Sequence, residues 1–286
     1  MGYRQERKRN AGRKRIDPLI LFKILLLQQL FNLIDEELEF HVNDRCSFEE
    51  FVGLSVMNDI PDATTVAFFR ERLRKAGVIE ELFQQFDGYL HEQGLEARGG
   101  QIIDATLVPV PKQRNSRNQN KDIKAGQLPQ GWDKNPDRLQ QKNLDARWVK
   151  KNGINYYGYK NSICIDKEHG FIRRYAVTPV NMHDSQMFPR LLDPENQQNF
   201  VWADSAYSGA RLQDLLELAG FDNLINAKGS RNHPLSEEAK AHNRIKSSIR
   251  ARVEHVFGCI TMSMGGKLTR KVALPRTEDW WGLRNL

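Results

Sequence analysis

The hydrophobic period of the chain changes at Gly99-Gly100, and this change constrains the fold more than any other feature. Before it, apolar residues recur every three or four positions, which predicts a series of helices over residues 17–95. After it, the segment "QIIDATLVPV" alternates between apolar and other residues as a half-buried strand does. The chain therefore predicts an all-α N-terminal domain at 1–98 and a second domain at 99–286 that begins with a strand.

Strands and helices alternate through the second domain. Further strands are predicted at 156–166, 171–180, 200–204 and 222–227, and helices at 182–192, 208–219 and 236–262. Three strands followed by alternating strands and helices indicate an α/β fold, a mixed sheet flanked by helices. The Pro-, Asn-, Gln- and Lys-rich segment 111–152 shows little apolar periodicity and is predicted to be a long basic insertion loop.

The helical domain carries a possible helix-turn-helix. A Ser-x-x-Glu capping box at Ser47 and Glu50 predicts the start of a short helix. A turn at Asn58–Pro61 and a second helix with Arg70 and Arg74 follow it, as in DNA-reading motifs. Ordinary packing in a helical bundle explains the same pattern equally well.

Positive charge is concentrated in three segments. The chain has a net charge of +7 and a pI of about 9.3. Residues 1–15, 105–160 and 228–252 carry net charges of +6, +8 and +5, so the remainder is net acidic. Such segregation suits a polyanion, because locally dense cations displace the counterions of nucleic acid. Solvated loops kept soluble by charge are the alternative.

Cysteine usage and hydropathy limit the possible classes of protein. Cys46, Cys164 and Cys259 lie far apart and show no zinc-ligand spacing, so neither a disulfide framework nor a structural zinc is predicted. The apolar stretch 19–34 has 16 residues and includes Lys23, too short and too polar for a membrane span. A cytoplasmic protein is expected.

Three acids are candidates for catalysis or metal binding. Asp104 lies within the first strand, and Asp204 lies at the C-terminal end of the strand "FVWAD", where ligands tend to gather. Glu254 lies in the long helix, more than about 100° from its buried stripe and on the same face as Arg250. Each acid alone has an ordinary explanation: a hydrogen bond for Asp104, a strand-end cap for Asp204, and a surface ion pair with Arg250 for Glu254.

Bringing the three acids together would require a cation, because carboxylates repel one another. Oxygen-only ligands favour Mg²⁺, for which Mn²⁺ can substitute. Two such ions can activate a water or a 3′-hydroxyl and stabilise the leaving oxygen of a phosphoryl transfer. The basic segments would then hold a polyanionic substrate.

Five sequence blocks occur in a recognisable order. They are "IIDATLVPVP", "YGYKNSICID", "PVNMHDSQMF", "VWADSAYSG" and "RARVEHVFG". From about residue 10 to its C-terminus the chain resembles the DDE transposases of insertion sequences, specifically the insertion-sequence-five family. This resemblance implies a ribonuclease-H-like catalytic fold in which Asp104, Asp204 and Glu254 are the catalytic and metal-binding acids.

The resemblance also implies an activity and partners. A DDE transposase hydrolyses a phosphodiester at each element end and uses the freed 3′-hydroxyl to attack target DNA. Two Mg²⁺ ions, double-stranded DNA of the terminal repeats and target, a homodimer in the DNA complex, and a bacterial, nucleoid-associated location are expected. Asn161, His183 and Asp184 are expected beside the substrate. DNA contacts are expected from Lys160, Arg250, Arg252, Lys267, Arg70 and Arg74.

Two departures from the family pattern keep other functions open. In the family's Tyr-x2-Arg-x3-Glu-x6-Lys signature, Ser247 stands at the Tyr position and Thr261 at the Lys position, so Lys267 is the candidate replacement for the Lys. The chain also ends at "EDWWGLRNL", where family members usually continue, which raises a truncated copy as one interpretation. The alternatives are a ribonuclease-H-like nuclease without strand transfer and a decayed, non-catalytic DNA-binding remnant.

Overall fold

A computed structural model of the chain describes residues 16–54, 60–95 and 99–286. The basic run 1–15 and positions 58–59 of the predicted helix-turn-helix lie outside these ranges. The helices are α1 (Pro18–Phe31), α2 (Asp35–Asp44), α3 (Cys46–Val52), α4 (Ala63–Ala76), α5 (Val78–Glu92), α6 (Arg117–Lys124), α7 (Pro136–Gln140), α8 (Phe188–Leu191), α9 (Ala210–Leu218), α10 (Glu237–Arg250), α11 (Arg252–Met262) and α12 (Leu274–Asn285). The strands are β1 (Gln101–Pro109), β2 (Arg147–Lys151), β3 (Ile154–Asp166), β4 (Ile172–Pro179), β5 (Phe200–Ala203) and β6 (Asp222–Asn223).

The chain divides into two compact units. The first contains the described residues up to 28 together with Leu33–Glu71, and the second contains Gln29–Asn32 and Arg72–Leu286. Helix α5, expected in the N-terminal domain, belongs to the second unit, which therefore begins before residue 98. Phe83 of α5 packs edge-on against Tyr175 of β4, with ring centroids 5.3 Å apart.

The first unit is helical, as its period predicts. The buried side chains include Leu25, Leu38, Phe48 and Val66. The predicted capping box was wrong: α3 begins at Cys46, and Ser47 lies inside the helix. The physical reason is that Arg45 is the single extended residue between α2 and α3. It takes the N-cap position of α3 itself, so Ser47 falls within the helix.

The apolar stretch 19–34 forms most of α1, and α2 follows it. Among the described residues, no single helix has the length and apolarity to cross a membrane. Helices α1 and α2 reach that length only when counted together, and the chain bends by 106° between them.

The second unit is built on a six-stranded mixed sheet. Its order is β2–β3–β1–β5–β6, and β4 also pairs with β3. β3 runs antiparallel to β1, whereas β1, β5 and β6 are parallel. This mixed sheet, flanked by helices, confirms the predicted α/β class.

Helices cover both faces of the sheet. One cluster joins Ile103 and Val201 to residues of α8 and α9, including Phe188 and Leu216. The opposite face packs against α11, and a third cluster includes Trp280 and Trp281 of α12 together with Tyr159 and Val177. The terminal segment "EDWWGLRNL" is thus a largely buried element of this unit.

Two predicted elements differ in detail. The helix predicted at 236–262 is interrupted at Ala251, where Glu254 N–H donates to the Ala251 carbonyl across only three residues. Alanine and arginine favour helices, so no residue there signals a break. β6 covers two residues instead of six, although Leu224 and Asn226 still donate to β5.

The segment 111–152, predicted as a loop, contains α6, α7 and β2. Ser116 and Gln119 form a reciprocal capping box at the start of α6, and Asn135 caps α7 before Pro136. Trp132 is buried beneath the cations of Arg138 and Lys142, 5.4 and 5.1 Å from its ring centroid. Local caps and one buried aromatic residue therefore order this basic segment.

Candidate active site

The alternation of β1 directs Asp104 towards the C-terminal helices. Ile103 packs in the cluster with α8 and α9, whereas Ile102 clusters with Val253 and Phe257 of α11. Side chains two residues apart in a strand lie on the same face. Asp104 therefore follows Ile102 onto the α11 face of the sheet.

Asp204 reaches the same region through β5. β1 and β5 pair in parallel, and the last pair of the ladder is Ile103 opposite Ala203. The next residues in this register are Asp104 and Asp204, at the point where β5 ends. Because paired strands lie about 4.8 Å apart, the two aspartates lie side by side on neighbouring strands.

The carboxylate of Asp204 is oriented by a cap. Its Oδ1 accepts a hydrogen bond of 2.8 Å from the Ala206 N–H and caps the 3-10 turn Ser205–Tyr207. The Asp204 carbonyl also accepts from the Tyr207 N–H at 3.1 Å. The strand-end cap expected from the sequence is therefore present, and it fixes the direction of the side chain.

Asp104 is held in an electrostatically demanding position. The pKa of Asp104 is raised to about 6, mainly by burial and in smaller part by the neighbouring carboxylates of Asp204 and Glu254. The Ala105 N–H, which donates to Oδ1 at 2.8 Å, and the Arg250 guanidinium lower the pKa. The carboxylates of Asp204 and Glu254 are therefore close enough to Asp104 to raise its pKa.

Glu254 and Arg250 approach this point from the junction of α10 and α11. The Glu254 side chain is 63% exposed, and its Oε1 lies 3.9 Å from Arg250 Nη1. Arg250 Nη1 also donates to Asp104 Oδ2. The predicted surface pair of Arg250 and Glu254 thus forms, and the same guanidinium bonds to Asp104.

Lys267 lies beside the acids on the same face. Its Nζ donates to Thr106 Oγ1 at 2.8 Å, and Thr106 is two residues beyond Asp104 on β1. Burial lowers the pKa of Lys267, while the Glu254 carboxylate raises it. A lysine from a later loop thus lies near Glu254, and its role as the replacement for the signature lysine remains a prediction.

Arg252 and Lys160 have internal partners. Arg252 Nη1 donates to the Lys167 carbonyl at 2.6 Å. Lys160 Nζ donates to Asp184 Oδ1 at 2.6 Å and to the Met182 carbonyl at 2.7 Å. Lys160 therefore ties β3 to the 182–184 loop, and contact with DNA remains a prediction for both residues.

Two residues of the recurring blocks lie in different surroundings. Asn161 is buried and exchanges hydrogen bonds with Asn285 of α12, at 2.9 and 3.1 Å. His183 caps the 3-10 turn Asp184–Gln186 and is 2.7 Å from Ser185 Oγ. Asn161 therefore contributes to the core, whereas Asp184 lies on the loop that Lys160 fixes.

Tyr207 is a site residue that the sequence did not single out. Its hydroxyl is buried and has no hydrogen-bond partner among the described residues. Burial raises the pKa of Tyr207, as do the charges of Asp184, Asp104 and Asp204. Its position three residues after Asp204 in the block "VWADSAYSG" was the available signal.

Arg70 and Arg74 are the two arginines of the predicted helix-turn-helix. Arg70 forms two 2.8 Å hydrogen bonds with Asp35, and its Nη1 also donates to Gln28 at 2.8 Å. Arg74 is partly exposed in the last turn of α4. The structure gives Arg70 a structural role, and DNA contact by either arginine remains a prediction.

The acids suit a divalent cation by their chemistry. They offer oxygen ligands, and burial together with the neighbouring carboxylates raises the pKa of Asp104, a cost to its charged form that a cation would offset. In the described part of the chain, no three His, Cys, Asp or Glu side chains form a group that could hold one ion. The three acids therefore fit a divalent cation by the type and charge of their donor atoms. In this arrangement Arg250 bonds to Asp104 and lies near Glu254.

Two family models match the sequence. Residues 96–286, more than half of the chain, match the family described as Transposase DDE domain. Residues 3–72 match the family described as Transposase domain (DUF772). The catalytic candidates all lie within the first match.

Three solved structures resemble the chain at low sequence identity. The piggyBac transposase synaptic complex with hairpin DNA has a TM-score of 0.46 and 11% identity, covering 98% of this chain and 67% of that one. The Mos1 strand transfer complex has a TM-score of 0.24 and 10% identity, covering 99% and 78%. The Mos1 transposase paired-end complex with the left transposon end has a TM-score of 0.23 and 9% identity, covering 91% and 83%.

Proposed function

Because the chain belongs to the insertion-sequence DDE transposases, which move DNA by metal-dependent phosphoryl transfer, we propose that Asp104, Asp204 and Glu254 are its catalytic carboxylates. In this proposal the enzyme hydrolyses a phosphodiester at each element end and joins the freed 3′-hydroxyl to target DNA. Membership of the insertion-sequence-five subfamily remains a prediction.

The register of β1 and β5 carries this proposal. It makes Asp104 and Asp204 neighbours although they are 100 positions apart in the chain. Glu254 contributes its charge to the same place from α11. If each acid had a separate structural role, there would be no reason for the three carboxylates to lie close together.

The acids would hold two Mg²⁺ ions, with Mn²⁺ as a substitute. Bound ions would supply an activated water or 3′-hydroxyl and stabilise the leaving oxygen. Asp104 and Asp204 would contribute to both ion sites and Glu254 to the second. Asp204 is already oriented by its cap on the 3-10 turn, whereas the exposed Glu254 side chain has room to adjust.

Cations around the acids would bind the DNA backbone. Arg250 bonds to Asp104 and Lys267 bonds to Thr106 on the same strand, and Arg252 and Lys160 are the further candidates. The ordered basic segment 111–152 and the exposed face of α10 would extend this surface. Arg70 and Arg74, both on α4, are assigned to the recognition of element ends, and a homodimer is expected in the DNA complex.

The decisive variant is Asp204→Asn, which keeps the shape and removes the charge. We expect divalent-metal-dependent cleavage of end-containing DNA to fall by about 1,000-fold or more, because the lost ligand stabilised the transition state by several kcal/mol. DNA binding, measured by fluorescence anisotropy, should change little. Asp214→Asn, an exposed acid on α9, is the matched control and should cleave normally.

Other outcomes identify the alternatives. Normal cleavage by Asp204→Asn would overturn the site assignment. Cleavage by the unmodified protein without joined products in a strand-transfer assay would indicate a nuclease. DNA binding with no metal-dependent turnover would indicate a non-catalytic remnant.

A further inference from the structure

The guanidinium of Arg250 lies where the candidate active site concentrates negative charge. Its Nη1 donates to Asp104 Oδ2 and is 3.9 Å from Glu254 Oε1. The Arg250 and Asp104 side chains are 22% and 14% exposed, so water screens this pair only partly. One cation of the protein itself therefore offsets charge that belongs to two of the three acids.

The hydrogen bonds of Arg250 are incomplete. Its Nε is buried and has no acceptor among the described residues. In the helical unit, by contrast, Arg70 meets both oxygens of Asp35 and also reaches Gln28. An unsatisfied buried donor on a charged group is costly, and a phosphate oxygen would satisfy it.

We infer that Arg250 is a latch that takes the place of the metal on Asp104 and transfers to a DNA phosphate when an ion binds. The inference rests on the proposed function of the three acids. A divalent ion on Asp104 Oδ2 would compete with the guanidinium for that oxygen and repel its positive charge at close range, so binding of the ion favours release of Arg250. The released guanidinium then has its full set of donors available for the DNA backbone.

Such an exchange couples two binding events. An ion that displaces Arg250 frees it for phosphate, and a phosphate that attracts Arg250 frees Asp104 for the ion. By thermodynamic linkage each ligand strengthens the other by the same factor. A free enzyme would then bind metal weakly, and element ends would promote metal loading.

The first test measures Mn²⁺ binding to the full-length protein without DNA, from the electron paramagnetic resonance signal of free Mn²⁺. Arg250→Gln removes the competitor and should tighten binding about tenfold. Arg250→Lys, which retains a charge without the planar fork, should give a smaller gain. Arg244→Gln, an exposed arginine on α10, controls for the loss of one positive charge. A gain no larger than that of Arg244→Gln would overturn the latch.

The second test is metal-free and uses a double-mutant cycle for DNA binding in EDTA. Asp104→Asn weakens the partner of Arg250 and should tighten DNA binding several-fold. The same change should do nothing in an Arg250→Gln background. Equal effects in both backgrounds would show that only the lost negative charge matters and would contradict the latch.

The two tests separate this inference from the proposed function. If Mn²⁺ binding does not depend on Asp104 and Asp204, the carboxylate site itself fails. If it depends on them but ignores Arg250, the site stands and the latch is overturned. Thermal unfolding of each variant confirms that it is folded, and Arg250→Lys preserves the test if Arg250→Gln is unstable.

Discussion

Two polar pairs connect the sheet to the C-terminal helices, and they are built differently. Asn161 of β3 and Asn285 of α12 are both buried, neutral and joined by two reciprocal hydrogen bonds. Asp104 of β1 and Arg250 of α10 are charged and partly exposed, and the Arg250 Nε has no acceptor among the described residues. The first pair satisfies itself, whereas the second has bonding capacity left for a ligand.

The difference separates stability from function within one sheet. The amide pair lies where α12 packs against the sheet with Trp280 and Trp281, and nothing there requires change during a reaction. The charged pair lies where β1 and β5 end their pairing, at the edge that carries the acids. Breaking the first should destabilise the protein, whereas breaking the second should alter ligand binding.

The largest effect on stability is expected from Asn285→Ala. It leaves the fully buried Asn161 amide without its partner, which should lower the free energy of unfolding by about 2–3 kcal/mol. Urea unfolding monitored by tryptophan fluorescence measures the change, and Mn²⁺ affinity should remain that of the unmodified protein.

A double replacement sharpens this result. Asn161→Leu with Asn285→Leu removes both amides, so it should cost less than the single Asn285→Ala change. A double variant that is less stable than the single one would show that packing, rather than the amide pair, sets the stability here.

A pH-dependent effect of opposite sign is expected from Asp104→Asn. The pKa of Asp104 is about 6 in the folded protein, against an ordinary value of 3.8, so the folded state binds the proton more tightly. The stability of the unmodified protein should therefore fall as pH rises from about 4 to 6. The variant lacks this loss, so its stability relative to that of the unmodified protein should rise by about 2–3 kcal/mol between pH 4 and pH 7.

Unfolding in EDTA at several pH values tests this expectation. Asp214→Asn, the exposed acid on α9, provides the charge-matched control. An Asp104→Asn variant whose advantage does not change between pH 4 and pH 7 would remove the electrostatic cost assigned to this site.

Much of the fold could be read from local patterns. The period of two placed β1, β3 and β4 close to their observed positions, and the period of about 3.6 identified the N-terminal helices. The capping box at Ser116 and the Asn135-Pro136 start were also readable in the segment assigned to a loop. The Pro-, Asn-, Gln- and Lys-rich composition of the segment 111–152 led to the prediction of a loop in spite of these two helix-start signals.

The site required contacts that no local pattern contains. Sequence identified the three acids, but the side-by-side positions of Asp104 and Asp204 depend on the register of two strands that are far apart in the chain. The bond from Arg250 to Asp104 and the amide pair of Asn161 with Asn285 span 146 and 124 positions. The break at Ala251 arises where helix propensity is high, so tertiary packing rather than propensity decides it.

The most direct measurement of the central claim is iron-mediated cleavage of the protein chain. Fe²⁺ bound in place of Mg²⁺ generates hydroxyl radicals with ascorbate and peroxide, and these cut the backbone next to the ion. The proposal predicts cuts near Asp104, Asp204 and Glu254, suppressed by excess Mg²⁺ and lost in Asp204→Asn but retained in Asp214→Asn. Cuts confined to other parts of the chain, or cuts unchanged in Asp204→Asn, would contradict a metal site formed by these three carboxylates.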